Sequence, residues 1–144
     1  MRAMGLDYGN ATVGIALSDE MFLTAQPLET IFRKKSNQLR HTYQRIEELI
    51  KEYDVTELVV GLPKNMNDTI GPQAMLCIDF ANDLERRTGI KPVMWDERLT
   101  SFEAENILNE AGLDYRKKAK VVDKVAAAII LKGYLEERAA KKIN

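Results

Sequence analysis

One cysteine, one histidine, four prolines and no long apolar run are the scarcities of this 144-residue chain. A lone Cys77 cannot close an internal disulfide, so a reducing compartment fits and the cytoplasm is the expected location. A lone His41, in a segment that reads as helix surface, excludes multi-histidine zinc or iron sites within one chain. It also disfavours Ser-His-Asp and Cys-His hydrolases, which need a placed imidazole. No apolar stretch approaches the length that crosses a membrane. The opening Met1-Arg2-Ala3-Met4-Gly5-Leu6-Asp7 lacks the apolar core of a signal peptide. Acid–base or metal chemistry is left to aspartate and glutamate.

Charge is plentiful and nearly balanced, with 22 acidic and 21 basic residues and a net charge of −1. That sum neither supports nor excludes nucleic acid, but the positive charge is clustered. Arg33-Lys34-Lys35, Arg86-Arg87 and Arg116-Lys117-Lys118 with Lys120 are local basic runs, each by itself explained as a solvated face or helix end. Hydrophobic residues at 45% and charged residues at 30% are ordinary globular composition. Without repeats, low-complexity stretches or linkers, one domain over residues 1–144 is expected.

The first third reads as β structure. Ala3 to Tyr8 and Thr12 to Ser18 are short apolar stretches separated by the turn signal Gly9-Asn10. A third segment, about Leu23 to Phe32, contains Pro27 and so reads as an edge strand. From Ser36, a plausible N-cap, to Tyr53 the period changes: Leu39, Tyr43, Ile46, Leu49, Ile50 and Tyr53 mark an amphipathic helix. Leu58 to Gly61 has the continuous apolarity of a buried parallel strand. A helix from about Gly71 to Arg87 stops at Gly89, and Pro92 to Trp95 reads as another buried strand. Thr100-Ser101-Phe102-Glu103 has capping-box spacing, opening a helix that ends at Gly112. After a basic loop, Val121 to about Ala140 forms the last helix, with Val122, Val125, Ala126 and Ile129 on one face. The expected fold is α/β: an antiparallel meander of three strands extended by two parallel strands into a mixed five-stranded sheet flanked by helices.

The acidic residues of interest sit at element ends. Asp7 interrupts an apolar strand, where a charge is costly unless paired or bound to metal. Asp96 and Glu97 directly follow another strand, and Asp123 falls in the first turn of the expected last helix. If the first, fourth and fifth strands are parallel neighbours, these acids share the carboxyl edge of the sheet, where α/β ligands collect. Phosphodiester hydrolysis needs a deprotonated water and a stabilised leaving oxygen, which two divalent ions about 3.5–4 Å apart supply. Carboxylates without histidine suit a hard ion such as Mg²⁺. Singly, each acid has a plainer role: Asp7 in a turn with Gly9, Asp96 and Glu97 at a helix entry beside Arg98, Asp123 on a helix dipole. The functional case rests on the set.

Four blocks together resemble the YqgF/RuvX family of ribonuclease H-like nucleases. They are Gly5-Leu6-Asp7-Tyr8-Gly9 continuing through Val13-Gly14-Ile15-Ala16-Leu17-Ser18-Asp19; Val59-Val60-Gly61-Leu62-Pro63-Lys64-Asn65-Met66-Asn67; Trp95-Asp96-Glu97-Arg98-Leu99-Thr100-Ser101; and Val122-Asp123 with Ala126-Ala127 and Ile130-Leu131. The likeness implies a ribonuclease H-like fold and a hydrolase acting on phosphodiester bonds. It implies Asp7, Glu97 (or its neighbour Asp96) and Asp123 as catalytic, metal-binding carboxylates for Mg²⁺ or Mn²⁺. Lys64, Asn65, Arg98 and the Arg116, Lys117, Lys118 run become candidates for nucleic-acid contact. One departure stands out: the family carries a basic residue or two between the first motif's glycines, where this chain has Asn10-Ala11-Thr12.

The biological role so implied is 5′-end processing of pre-16S rRNA on structured RNA, with pre-ribosomal particles as partners, as a monomer or homodimer. A Holliday junction resolvase is the enzyme alternative, and cutting two strands would require a dimer. A non-catalytic RNA-binding assembly protein is a third reading. An actin-like or sugar-kinase ATPase shares the first phosphate-loop pattern, but 144 residues leave no room for its second half.

Overall fold

The computed structural model describes residues 1–9, 11–35, 39–63, 70–96 and 115–143, with side chains in the last stretch from 123 to 141. Five strands are described: β1 (Arg2–Tyr8), β2 (Thr12–Ser18), β3 (Ala25–Phe32), β4 (Val55–Leu62) and β5 (Val93–Asp96). Three helices are described with them: α1 (Arg40–Tyr53), α2 (Pro72–Thr88) and α3 (Tyr115–Ile143). The strands form one sheet in the order β3-β2-β1-β4-β5. β1, β2 and β3 are antiparallel neighbours, while β4 pairs parallel with both β1 and β5. The expected meander with a parallel extension is therefore what forms.

Pro27 lies on the outer strand, where its missing N–H removes no necessary ladder bond. The β2–β3 register shifts beside it, between Ile15 and Ala16. The fifth strand departs from expectation. β5 is an edge, and Val93 is 40% exposed rather than buried, because only β4 covers it in the ladder. The capping-box helix and the Ser36 cap lie outside the described residues.

Strand alternation sorts the core onto two sides. Met4, Leu6 and Tyr8 of β1 join Val13, Ile15 and Leu17 of β2 against α1 and α2. Large side chains fill that side: Phe80 is 1% exposed and its ring centroid lies 4.5 Å from Tyr8 and 5.6 Å from Tyr43. Truncating such a buried ring costs about 3–5 kcal/mol. The other side holds Ala3, Ala16 and Val59 against Ala127, Ile130, Leu131 and Leu135 of α3. Small residues prevail there because the helix comes close: a Cβ on Gly5 would meet the Ala127 carbonyl oxygen at 2.7 Å and Leu131 Cβ at 2.8 Å.

α3 differs from expectation in length and in face. It begins at Tyr115, so the basic segment expected as a loop is helical, and Asp123 lies in the third turn instead of the first. The buried face is Ala126, Ala127, Ile130, Leu131 and Leu135, with Val125 and Ile129 only half-buried. Where the strand surface comes closest, at Gly5 and Gly14, the helix presents Ala127 and Leu131 and its own backbone at Asp123. At the far end, Arg138 Nε lies 3.0 Å from Glu57 Oε1, and the Tyr134 hydroxyl donates to the same oxygen, pinning α3 to β4. Burial, then that Glu57 bond, pushes the Tyr134 phenol up to about 12. No helix among the described residues is long and apolar enough to cross a membrane.

Candidate active site

The sheet order makes β1, β4 and β5 parallel neighbours, so Tyr8, Leu62 and Asp96 close one edge of the sheet. The antiparallel β2 begins at this edge and β3 ends there, since Thr12 pairs with Phe32. The β1–β2 turn is held from two directions. Gln73 Nε2, in the first turn of α2, donates to the Tyr8 carbonyl at 3.2 Å. Arg33, just past β3, donates from its guanidinium to the Gly9 carbonyl at 2.5 Å. Its guanidinium carbon also sits 4.7 Å from the centre of the Tyr8 ring, and its backbone N–H donates to the Ala11 carbonyl at 2.8 Å.

Asp7 is half-buried and points to the α3 side, opposite its neighbours Leu6 and Tyr8. Its partner across the ladder is Gly14. A Cβ on Gly14 would collide with the main-chain carbonyl of Asp123 and approach Lys124 N to 2.7 Å. The backbone of α3 at Asp123 thus lies directly on the strand position facing Asp7. The Asp123 side chain turns toward the same edge, where the Thr12 hydroxyl donates to Asp123 Oδ2 at 2.5 Å. Two acids that are 116 positions apart in sequence meet on one short stretch of β2.

Asp96 is placed differently. Met94 packs with the α1/α2 core and Trp95 with the α3 core, so alternation puts Asp96 on the face opposite Asp7. It is exposed at the end of β5. Glu97, Lys64, Asn65 and Arg98 lie outside the described residues. Arg116, Lys117 and Lys118 belong to the first turn of α3, their side chains likewise outside. Among the described residues no three His, Cys, Asp or Glu side chains gather as a metal site; what is described is the Asp7–Thr12–Asp123 corner.

Two participants escaped the sequence reading. Thr12 looks like an ordinary strand-opening residue, and only a contact across 111 positions reveals its bond to Asp123. Arg33 belongs to a run explained as solvated surface, yet it is 7% exposed. Its cation reaches the turn whose own residues Asn10-Ala11-Thr12 carry none.

The oxygen donors here are chemically suited to a hard divalent ion: carboxylates without thiolate or imidazole. Comparison with known proteins identifies the family. The model of the RuvX family, described as Holliday junction resolvase, matches residues 1–137. A protein of Lachnospira eligens, provisionally named pre-16S rRNA nuclease, is 56% identical over 138 residues, covering 96% of this chain and 99% of its own. A Bacillus thuringiensis protein of the same provisional name is 50% identical over 140 residues, covering 96% of this chain and 100% of its own. Among solved structures, Thermus thermophilus RuvC in complex with a Holliday junction superimposes with a TM-score of 0.62 at 14% identity, covering 97% and 96% of the two chains. The Fowlpox virus resolvase bound to Holliday junction DNA gives 0.57 at 14% identity, covering 96% and 99%. At such identities the likeness is one of fold, a ribonuclease H-like sheet with its helices.

Proposed function

This chain belongs to the RuvX family, and from that premise we propose that it is a metal-dependent nuclease processing the 5′ end of pre-16S rRNA in the bacterial cytoplasm. The observation that carries the reading is the meeting of Asp7 and Asp123 on β2, at the edge where the parallel strands end. A half-buried acid in an apolar strand, facing a second acid from a distant helix, is poorly explained by capping. The dipole of α3 gives Asp123 little, since its field fades within the first turn and Asp123 stands in the third.

Asp7, Asp123 and Glu97 would hold Mg²⁺ or Mn²⁺. Strand parity counts against Asp96, which falls on the face away from Asp7, and Glu97 is the acid that the family likeness implies. The bound ion supplies a deprotonated water and a counter-charge for the leaving oxygen. The chain's own residues do the rest. Thr12 fixes one oxygen of Asp123, while Arg33 and Gln73 hold the turn that follows Asp7. Lys64, Asn65, Arg98 and the Arg116–Lys118 run would supply the phosphate contacts that the family likeness implies.

Labelled pre-16S rRNA, single-stranded RNA and a four-way DNA junction, each with Mg²⁺, Mn²⁺ or chelator, test this. Metal-dependent cutting of the rRNA precursor is the expected result. Binding without cutting under every metal would replace the nuclease with an assembly protein. The family description favours a second reading, junction resolution; symmetrical nicking of the four-way junction by a dimer would establish it.

Thr12→Val keeps the β-branched shape and removes the donor to Asp123. Loss of a group that orients a ligand typically costs about 10–100-fold in metal affinity. Calorimetric titration with Mg²⁺ should show that weakening, with Thr12→Ser restoring it. An unchanged binding isotherm would return Thr12 to a purely local role.

A further inference from the structure

Phe32 is placed where no folding requirement puts a phenylalanine. It is the last residue of the edge strand β3 and is 67% exposed, whereas Phe80 is 1%, Tyr43 6% and Tyr8 8% exposed. Its ladder partner is Thr12, and the preceding pair is Ile31 with Val13. Ile31 and Val13 pack toward α1 and α2. Phe32 therefore projects from the other face, the one on which Thr12 holds Asp123. Two strand spacings of about 4.8 Å separate β3 from β1, so the backbone at Phe32 lies about 10 Å from the strand carrying Asp7.

Its surroundings are basic. Phe32 is followed by Arg33, Lys34 and Lys35, and the lysines are exposed. The exposed His41 and the buried Thr42 of α1, which packs on the opposite face, join Phe32, Arg33 and Lys34 around a cleft of about 490 Å³ at the end of the outer strand β3. The cleft thus reaches round the sheet edge from the α1 side. Of the other exposed large apolar side chains among the described residues, Met21 and Leu23 lie between β2 and β3 at the opposite sheet edge, Met75 and Leu76 on α2, Ile70 just before α2, Val93 on β5 and Met1 at the first position. An isolated aromatic among cations is unlike the contiguous apolar core of a protein interface. It has the make-up of single-strand nucleic-acid sites, in which a ring stacks a base and cations follow the backbone. The bonds from Arg33 to Gly9 and Ala11 fix the end of β3 to the β1–β2 turn, so the ring is carried on a braced support.

We propose that Phe32 is a stacking platform for an unpaired nucleobase flanking the phosphate addressed by Asp7 and Asp123, with Lys34 and His41 along the adjoining backbone. What lies beside the base rests on the nuclease reading; the stacking contact does not. The site then prefers a single-stranded segment over a continuous duplex, because a paired base has no free face to offer.

Binding is measured by fluorescence anisotropy with labelled single-stranded RNA, single-stranded DNA of the same sequence, and the blunt RNA duplex. Ca²⁺ replaces Mg²⁺ so that the strands are not consumed. Stacking of one base is worth about 5- to 150-fold in affinity, and Phe32→Ala should lose that on the single strands while keeping duplex binding. Phe32→Trp should restore affinity, with its indole emission quenched by the bound strand. Single-strand binding by Phe32→Ala at wild-type affinity, or equal losses on strand and duplex, would overturn the platform. The two proposals fail separately. Phe32-dependent binding by a protein that cuts nothing removes the nuclease and keeps the platform, whereas metal-dependent cutting with Phe32-independent binding does the reverse.

Discussion

Asp7→Asn should reduce metal-dependent cleavage by at least about 100-fold while leaving the metal-free protein folded, with a melting temperature near that of wild type. Residues that merely orient a metal ligand account for about 10–100-fold, so a direct ligand must account for more. Asparagine keeps the volume and half of the hydrogen-bonding capacity, which isolates the charge. The stability half of the expectation follows from position. Asp7 is half-buried on the α3 face opposite Gly14, on which the Asp123 backbone rests, and an isosteric asparagine leaves the packing of that corner unchanged. The same experiment has a readout that needs no substrate. A cation at 100 times its dissociation constant stabilises the folded chain by about 2.7 kcal/mol, so Mg²⁺ should raise the melting temperature of wild type and not of the variant. Wild-type cleavage by Asp7→Asn would remove Asp7 from the reaction. A large drop in metal-free melting temperature would instead make Asp7 a structural group.

The sheet was legible because its signals are local. The Gly9-Asn10 turn, the apolar run at Leu58 to Gly61 and Pro27 each constrain their own segment, and together they leave one topology. β1, β4 and β5 are the parallel neighbours on which a shared edge for Asp7 and Asp96 depended. Two local readings failed for physical reasons. The Arg116–Lys120 stretch looked like a loop because it is charged, yet arginine, lysine and alanine are good helix formers and no glycine or proline interrupts them. Starting the helix at Tyr115 moves Asp123 into its third turn and removes the dipole as its explanation. The apolar face of α3 was read as Val122, Val125, Ala126 and Ile129; Ala126 is buried as expected, whereas Val125 and Ile129 are half-buried and Ala127, Ile130 and Leu131 turn inward.

What remained hidden depends on pairing between distant segments. Nothing near Thr12 signals that its hydroxyl will meet an aspartate 111 positions later. Nothing in Arg33-Lys34-Lys35 shows that the first of three cations is buried against Tyr8 while the next two stay in solvent. The choice between Asp96 and Glu97 was open for a related reason. Adjacent residues on a strand face opposite ways, and only the neighbours Met94 and Trp95, assigned to their two cores, reveal which way Asp96 turns.

Gly14→Ala tests whether that geometry is held by contact between α3 and the sheet, and it should be more damaging than the same change at Gly5, Gly9, Gly89 or Gly133. The added Cβ would occupy the space of the Asp123 carbonyl and press on Lys124 N at 2.7 Å. Main-chain atoms inside a helix cannot rotate away as a side-chain tip does, so α3 must lift or β2 must bend. Overpacking against movable side chains costs about 1–3 kcal/mol; a backbone obstacle should exceed that range, lowering the melting temperature by about 10 °C or more. Gly89→Ala is the informative comparison, since Gly89 has φ of 78° but nothing within 4 Å of an added Cβ. Its cost is confined to backbone strain, about 1–2 kcal/mol. Gly14→Ala should also loosen Mg²⁺ binding, because displacing α3 carries Asp123 away from Thr12 and Asp7, whereas Gly89→Ala should leave it intact. Equal, small destabilisation by the two variants would mean that α3 does not rest on β2 at Asp123. The corner assembled from Asp7, Thr12 and Asp123 would then lose its support.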